Sequence, residues 1–204
     1  MERPILFRPE FIHPIINGRK TQTRRLVEPQ PEYIGNNFYS WQYHKKGGSI
    51  VFHNIPNQKY IEQADKPCKP GDILWVRERW AQTNSGIIYG ADHPNLTSEE
   101  VKEISLDEKG WRSPIHMKKE LCRVKIQVTN LWIERLNEIS EVAAEKEGVN
   151  PEPVRGGNST YPSFTKAFFR KWNEINPNSE ANPFVWVIEF RLYHFRKEGE
   201  QNGE

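Results

Sequence analysis

The feature that most constrains the fold is the segment 121–136, in which apolar and polar side chains alternate. A period of two places alternate residues on opposite faces of a β-strand. The inward-facing set is Cys122, Val124, Ile126 and Val128. Asn130 allows a bend into a second apolar stretch that ends at Leu136. The pattern therefore predicts a pair of strands with one face in the core.

Further strands are predicted at residues 4–8, 73–78 and 184–192, the last with alternating apolar side chains. A hairpin is predicted over 37–54, where two apolar runs flank a turn that contains two glycines. The 15 prolines and 13 glycines are spread along the chain and indicate many turns rather than a bundle of long helices.

Three short helices are predicted from their end signals. The first covers 9–16 and ends before Gly18, since glycine accepts the left-handed backbone of a helix terminus. The second begins after the N-cap Ser140 and ends at Gly148, and the third begins after the N-cap Ser163. The predicted apolar face of the third helix is Phe164, Phe168, Trp172 and Ile175.

The expected fold class is α+β: a small mixed β-barrel flanked by short helices, with loop and hairpin insertions. A chain of 204 residues is long enough to close one hydrophobic core. We expect a single domain over 1–196, with insertions around 28–66, 81–118 and 150–162, the last a loop. The charged segment 197–204 is expected to be a disordered tail.

Composition excludes several classes of protein. A net charge of +2 is too small for a histone-like binder, so any nucleic-acid contact must come from a local basic patch. Cys68 and Cys122 form no CxxC motif, and the six histidines never pair with cysteine at ligand spacing, so neither a disulfide framework nor a metal site is expected. We predict a cytoplasmic protein, a monomer or weak dimer, with no cofactor and no membrane partner.

The first candidate for chemistry is the run from Gly18 to Arg25, which brings four cations and two hydroxyls just past a helix end. Arginine forks and lysine ammonium groups bind phosphate. A lysine and a threonine close in sequence could also work as base and nucleophile, if burial or neighbouring cations depress the lysine pKa. Composition alone equally allows a solvated basic loop.

The second candidate is a set of glutamates in and after the second helix. These are Glu141, Glu145 and Glu147. A carboxylate that faces the lysine and threonine could act as general acid or base. Because Glu145 and Glu147 lie two positions apart, at most one of them points into a pocket. Glutamates at such positions are also ordinary solvent-facing residues.

The third candidate is the tryptophans, because bases stack on aromatic faces. The set is Trp75, Trp80, Trp111 and Trp132. Aromatic residues in strands more often belong to the core, and we assign Trp172 and Trp186 there. Trp80 and Trp111 fall in loop-like sequence and remain open to either role, while His116 is expected to pack.

The order of these segments resembles the ASCH domain family, a branch of the PUA-like superfamily, and is most similar to its longer members in bacteriophages and prophages. The matching segments are Ile15 to Arg25, Lys69 to Glu78, 121–136, Ile139 to Val149 and Asn182 to Phe190. The combination of Gly-Arg-Lys-Thr with Gly-Asp-x-Leu is the specific mark of the family.

The resemblance implies a small PUA-like barrel and an association with RNA and modified nucleotides. One bacterial branch of the family is an amidohydrolase that removes the acetyl group from N-acetylcytidine, and its catalytic residues match Lys20, Thr23 and Glu147. In that interpretation Thr23 is the nucleophile or positions a water, Lys20 is the base and Glu147 protonates the leaving amine. The residues expected to hold the ligand or a phosphate are Arg19, Arg24, Arg25, Trp75 and Trp80.

Two interpretations of function remain open. The first is hydrolysis of an amide on an acylated nucleoside such as N-acetylcytidine. The second is a non-catalytic module that binds RNA or a modified nucleotide, for example as a phage accessory protein. The insertions make this chain longer than the amidohydrolase branch, and insertions reshape pockets.

Overall fold

The computed structural model describes most of the chain in detail. The described residues are 1–42, 49–54, 66–156, 159–177 and 182–197. The strands are β1 (Glu2–Leu6), β2 (Gln22–Leu26), β3 (Glu32–Gly35), β4 (Phe38–Gln42), β5 (Ser49–His53), β6 (Ile73–Arg77), β7 (Trp80–Thr83), β8 (Gly86–Tyr89), β9 (Val124–Arg135), β10 (Glu152–Gly156), β11 (Ser159–Ser163) and β12 (Phe184–Phe195). The α-helices are α1 (Ile12–Ile16), α2 (Ser98–Ile104), α3 (Glu141–Glu145) and α4 (Phe164–Ile175).

The chain divides into two compact units, each assembled from separate stretches of sequence. Unit 1 consists of Met1–Arg19, Gly71–Val128 and the segment from Arg191 onward. Unit 2 consists of Lys20–Pro70 and Thr129–Phe190. The long strands β9 and β12 each begin in one unit and end in the other. Neither unit is therefore a continuous piece of sequence, and the expectation of a single domain over 1–196 stays a prediction.

In unit 1, β6 pairs in parallel with β1 and antiparallel with the first part of β9. The buried side chains Val76, Val124 and Ile126 form the core on one side of these strands. Pro4, in β1, suits a strand that is paired on one edge only, because proline has no N–H to donate to a second neighbour.

The predicted insertion 81–118 lies in unit 1 and builds a small core of its own. β7 and β8 form a tight hairpin in which Gly86 takes a positive φ of 127°. Trp80 and Tyr89, paired across this hairpin, pack with the buried Met117. Helix α2 begins with a capping box of Thr97 and Glu100.

In unit 2, β2 pairs antiparallel with the first part of β12, from Leu26 opposite Val185 to Gln22 opposite Glu189. The predicted 37–54 hairpin is confirmed in β4 and β5, and β3 adds a third strand; its tip, 43–48, lies outside the described residues. Trp172 and Trp186 are core residues, as predicted.

The helix end signals are confirmed. Gly18 has a φ of 76° after α1, and the hydroxyl groups of Ser140 and Ser163 accept the amide hydrogens of Ala143 and Lys166 at the start of α3 and α4.

Four local predictions are corrected. Asn130 does not mark a bend between two strands, because β9 continues through it as one strand of 12 residues. The predicted loop 150–162 contains β10 and β11; a two-stranded ribbon has only edge strands, which tolerate its prolines. In β12 both faces are buried from Phe184 to Ile188, so its first half does not alternate. Ile175 at the end of α4 is exposed.

The α+β class is confirmed, with strands as the dominant element. The strands of the described residues lie in open sheets, so the expected closed barrel is not formed among them. Within the described part of the chain, the strands of the insertions pair with one another and not with the five-stranded sheet: β7 with β8, β3 with β4 and β5, and β10 with β11. The segment 198–204, most of the predicted tail, lies outside the described residues.

Candidate active site

The backbone fixes the start of β2 against the turn that follows α3, and both belong to unit 2. Lys20 and Glu147 form an isolated antiparallel bridge. The amides of Thr21 and Gln22 both donate to the carbonyl of Lys146, at 2.9 and 3.0 Å. Residues 127 positions apart in sequence are thereby held side by side before any side chain is considered.

The side chains of Lys20 and Glu147 form a buried ion pair. Lys20 Nζ lies 2.7 Å from Glu147 Oε2 and also donates to the Glu147 carbonyl at 2.6 Å. The two residues are only 2% and 5% exposed. Charges removed from water to this extent are stable only when they are paired and hydrogen-bonded, and both conditions hold here.

Arg24 extends this pair into a network of four charged groups. Its NH1 donates to Glu147 Oε1 at 3.0 Å. Its Nε and NH2 both meet Glu134 Oε1, at 2.8 and 2.6 Å. The other oxygen of Glu134 accepts the indole N–H of Trp132 at 3.0 Å. Two cations thus balance two carboxylates, and both oxygens of Glu147 are engaged.

Thr23 lies on β2 opposite Ile188 of β12 and is 1% exposed. Its Oγ1 accepts a hydrogen bond from Arg25 NH1 at 2.7 Å. A hydroxyl that accepts from a guanidinium keeps its own proton free to donate. The cation beside it would also stabilise negative charge that develops on Oγ1.

Burial and charge together shift the pKa of two of these groups. Burial lowers the pKa of the Lys20 ammonium; Glu147 opposes that shift, while the nearby charges of Arg25 and Arg24 add to it. Burial also lowers the pKa of Arg25, with Glu147 again in opposition. Lys20 is therefore easier to deprotonate than an ordinary lysine, as a general base requires.

Glu147 is the glutamate of the three candidates that joins this network. Glu145 is exposed, so of the two only Glu147 points inward. Glu141 instead caps a helix: its carboxylate accepts the amide of Phe164 at 2.7 Å and the hydroxyl of Ser163 at 2.8 Å, at the N-terminus of α4.

The other predicted ligand-binding residues belong to unit 1. Arg19 is exposed at its boundary, where its amide donates to Asn17 Oδ1 at 3.3 Å. Trp75 and Trp80 are 7% and 4% exposed. Each carries an arginine guanidinium over its ring. Their role in ligand binding stays a prediction.

Sequence reasoning missed Glu134, which holds Arg24. It follows Trp132 on β9, where its outward-facing position in an alternating strand gave no reason to single it out. Gln22 was missed as well; it is buried at the start of β2, and its amide nitrogen donates to Glu189 Oε1 at 3.0 Å.

Within the described ranges, no group of three His, Cys, Asp or Glu side chains is placed to hold a metal ion. In the same part of the chain, no helix has the length and apolar character needed to cross a bilayer.

Comparisons with known proteins were made at three levels. No family model matches the chain, and neither a curated protein nor a solved structure does.

Proposed function

We propose that this protein hydrolyses the amide of an acylated nucleoside, such as N-acetylcytidine, with Lys20, Thr23 and Glu147 as catalytic residues. The observation that carries the proposal is the buried contact of 2.7 Å between Lys20 Nζ and Glu147 Oε2. The contact brings a basic and an acidic side chain together at one buried place, and the motif resemblance singles out the same residues together with Thr23. The finer fold assignment, ASCH and PUA-like, is part of the proposal and rests on the order of the motifs.

The ion pair can supply both an acid and a base. A proton that moves from Lys20 Nζ to Glu147 Oε2 leaves a neutral amine and a neutral carboxylic acid. Burial lowers the pKa of the Lys20 ammonium, which favours the loss of its proton. The amine is then the base and the carboxylic acid the proton donor, as the two halves of amide cleavage require.

In the first step Thr23 Oγ attacks the acyl carbon. Its proton reaches the Lys20 amine through a water molecule, because among the described residues Thr23 Oγ1 is hydrogen-bonded to Arg25 and not to Lys20. The hydrogen bond from Arg25 to Oγ1 favours the build-up of negative charge there. In the second step the bond between the acyl carbon and the nitrogen of the nucleobase breaks. The amine group that leaves on the nucleobase takes the proton from the Glu147 carboxylic acid. Water then cleaves the acyl-threonine ester and restores the starting hydroxyl.

The test is incubation of the purified protein with N-acetylcytidine and other acylated nucleosides, followed by liquid chromatography. We expect cytidine from the parent protein and at least a hundredfold slower formation from Thr23→Val, which removes only the hydroxyl. Thr21→Val is the matched control, because it makes the same change two positions away. Lys20→Met tests the base, because it removes the amine and keeps an unbranched side chain only one atom shorter.

Equal activity in Thr23→Val and Thr21→Val would overturn the role of Thr23. No product from the parent on any substrate would favour the second candidate, a nucleotide-binding module without turnover. That candidate is supported by the hydrogen bonds of Glu147. Both of its carboxylate oxygens already accept from protein cations, Lys20 and Arg24, which holds the carboxylate in a structural role. It predicts thermal stabilisation by the acylated nucleoside with no cytidine formed.

A further inference from the structure

Unit 1 contains three arginines whose guanidinium groups lie over tryptophan rings. The pairs, with the distance from the guanidinium carbon to the ring centroid, are Arg77 on Trp75 at 4.5 Å, Arg79 on Trp111 at 4.6 Å and Arg112 on Trp80 at 4.7 Å. Stacking of this kind holds a guanidinium in a fixed orientation while its edge stays available for hydrogen bonds.

Two of these arginines, Arg77 and Arg79, form no salt bridge within the described ranges of the chain. Arg112 is paired with Asp107. Glu78, which lies between Arg77 and Arg79 in sequence, is taken by Arg123, whose Nε and NH2 meet its two oxygens at 2.8 and 3.0 Å. Among the described residues no acidic side chain forms a salt bridge with Arg77 or Arg79, so two positive charges stand two residues apart without compensation.

The same region carries buried hydrogen-bond donors without acceptors. The Nε atoms of Arg77, Arg79 and Arg112 and the indole nitrogen of Trp80 are inaccessible to solvent and find no partner in the described part of the chain. All four groups can only donate. An external acceptor cannot reach these buried atoms. The terminal guanidinium nitrogens of Arg77 and Arg79 are not among them and have no partner in the described part of the chain, so they are the donors that such a group can meet.

Gly90 leaves the space that the side chain of Arg79 occupies beside Trp111. A Cβ atom at position 90 would lie only 2.7 Å from Arg79 Nε. The amide of Gly90 also donates to the Arg79 carbonyl at 2.7 Å. The absence of a side chain at Gly90 therefore lets the guanidinium lie between this backbone and the ring of Trp111.

We propose that Arg77 and Arg79 form an anion site for phosphate oxygens, separate from the proposed hydrolytic residues. A phosphate offers several acceptor oxygens and negative charge, which complement two stacked forks that lack a carboxylate. Residues two apart along an extended chain are spaced about 7 Å, which also suits the repeated charges of a nucleic-acid strand. The phosphate could belong to such a strand or to a small phosphorylated ligand, and the experiment distinguishes them.

The experiment measures binding of a fluorescently labelled single-stranded RNA by polarisation, and of inorganic phosphate by calorimetry. The test variant is Arg77→Gln/Arg79→Gln. The control, Arg155→Gln/Lys118→Gln, removes the same charge from two exposed positions. We expect the test variant to bind about a hundredfold more weakly than the control, about tenfold for each guanidinium lost.

The two sources of phosphate give different results. For an RNA strand, the slope of log affinity against log salt falls by about 1.4 in the test variant. For a small phosphorylated ligand, inorganic phosphate binds the parent and the control but not the test variant, while RNA binds none of them. The proposal is overturned if the parent binds neither probe, or if the test variant binds as the control does. Arg79→Lys, which keeps the charge without the fork, should bind at an intermediate level and guards against a folding defect.

Discussion

At the scale of single residues, Arg24 is the side chain on which the candidate site depends. It donates to Glu147 on one side and to Glu134 on the other, and so ties the end of the α3 turn to strand β9. A guanidinium suits this position because its planar fork can serve two carboxylates at once, which a lysine cannot do. The orientation of Glu147 toward Lys20 follows from this contact.

The first prediction concerns the charge of Glu147. Glu147→Gln leaves Lys20 and Arg24 with one carboxylate too few in a buried setting, and we expect it to lower the free energy of unfolding by about 3–5 kcal/mol. Glu145→Gln is the control: the same change on an exposed side chain two residues away should stay within about 0.5 kcal/mol. Urea unfolding measures both. Equal effects would mean that the network does not stabilise the fold.

The second prediction concerns the pH dependence that follows from Lys20. Its pKa is lowered mainly by burial, so the native protein releases this proton at a lower pH than the unfolded chain does. Between the two pKa values the unfolded state binds more protons, and the free energy of unfolding rises with pH in that window. If Lys20 is the catalytic base, kcat/KM rises with pH to an inflection below the ordinary value for lysine.

Lys20→Arg checks this assignment, because a guanidinium does not lose its proton in this range. The variant should lack the alkaline rise in both the rate and the stability profile. If the rate or the stability of the variant still rises at the same pH, the rise belongs to a group other than Lys20.

At the scale of elements, the first turn of α4 is organised by a side chain from α3. Glu141 accepts from Ser163 Oγ and from the amide of Phe164, and it also accepts the hydroxyl of Thr165. A carboxylate at a helix N-terminus satisfies amides that have no partner within the helix and interacts well with the helix dipole. Glu141 therefore joins the two helices through hydrogen bonds.

The third prediction is that Glu141→Ala lowers the free energy of unfolding by about 1–2 kcal/mol through loss of this cap. Glu145→Ala, on the same short helix but at a side chain that forms no hydrogen bond to α4 among the described residues, should have a much smaller effect. The pKa of Glu141 is lowered, chiefly by the Thr165 hydroxyl. Its contribution is thus complete above the ordinary pKa of a glutamate and is lost as the pH falls through the lowered value. Thermal unfolding at neutral and acid pH measures the difference, which should shrink in acid.

Local signals were enough to predict the elements whose ends have a chemical cause. The serine caps of α3 and α4 and the glycine after α1 are examples, because the interaction lies within a few residues of sequence. The bend at Asn130 was wrong because β9 continues through it, and strand pairing outweighs the weak turn preference of one asparagine. The ribbon β10–β11 was missed because its prolines are typical of loops.

In the candidate site, too, features with a local sequence signal could be predicted, and contacts that depend on strand pairing could not. Lys20, Thr23 and Glu147 were named through the family motif, and their catalytic role stays a prediction. The structure places Lys20 against Glu147, while Thr23 is hydrogen-bonded to Arg25. Glu134 could not be found, because its pairing with Arg24 spans 110 residues and depends on which strands become neighbours. The arginines stacked on Trp75 and Trp80 were missed for the same reason: a sequence shows the aromatic residue but not what covers its ring.

At the scale of the whole molecule, the chain passes repeatedly between the two units, so each unit depends on residues far away in sequence. The end of β12 shows this for unit 1. Arg191 donates to Gln127 Oε1 through Nε and NH2, at 3.0 and 2.7 Å. The amide of Arg196 donates to the carbonyl of Arg123 at 2.8 Å. Arg191 and Arg196 thus hydrogen-bond to Gln127 and Arg123, at the two ends of the segment 123–127.

The fourth prediction follows from this dependence. Deletion of everything after Phe190 removes the partners of the Arg123 carbonyl and of the Gln127 side chain. It should raise amide hydrogen exchange in peptides covering 123–128 by at least about tenfold, equivalent to about 1.4 kcal/mol of lost protection. Deletion of everything after Lys197 is the control, since it keeps both contacts and should leave exchange unchanged. If the two truncations exchange alike, residues 123–128 are held by the rest of unit 1 without the C-terminal segment. If the longer deletion alone loses protection, the segment after Phe190 is what holds residues 123–128 in their folded conformation, and unit 1 depends on the second half of β12.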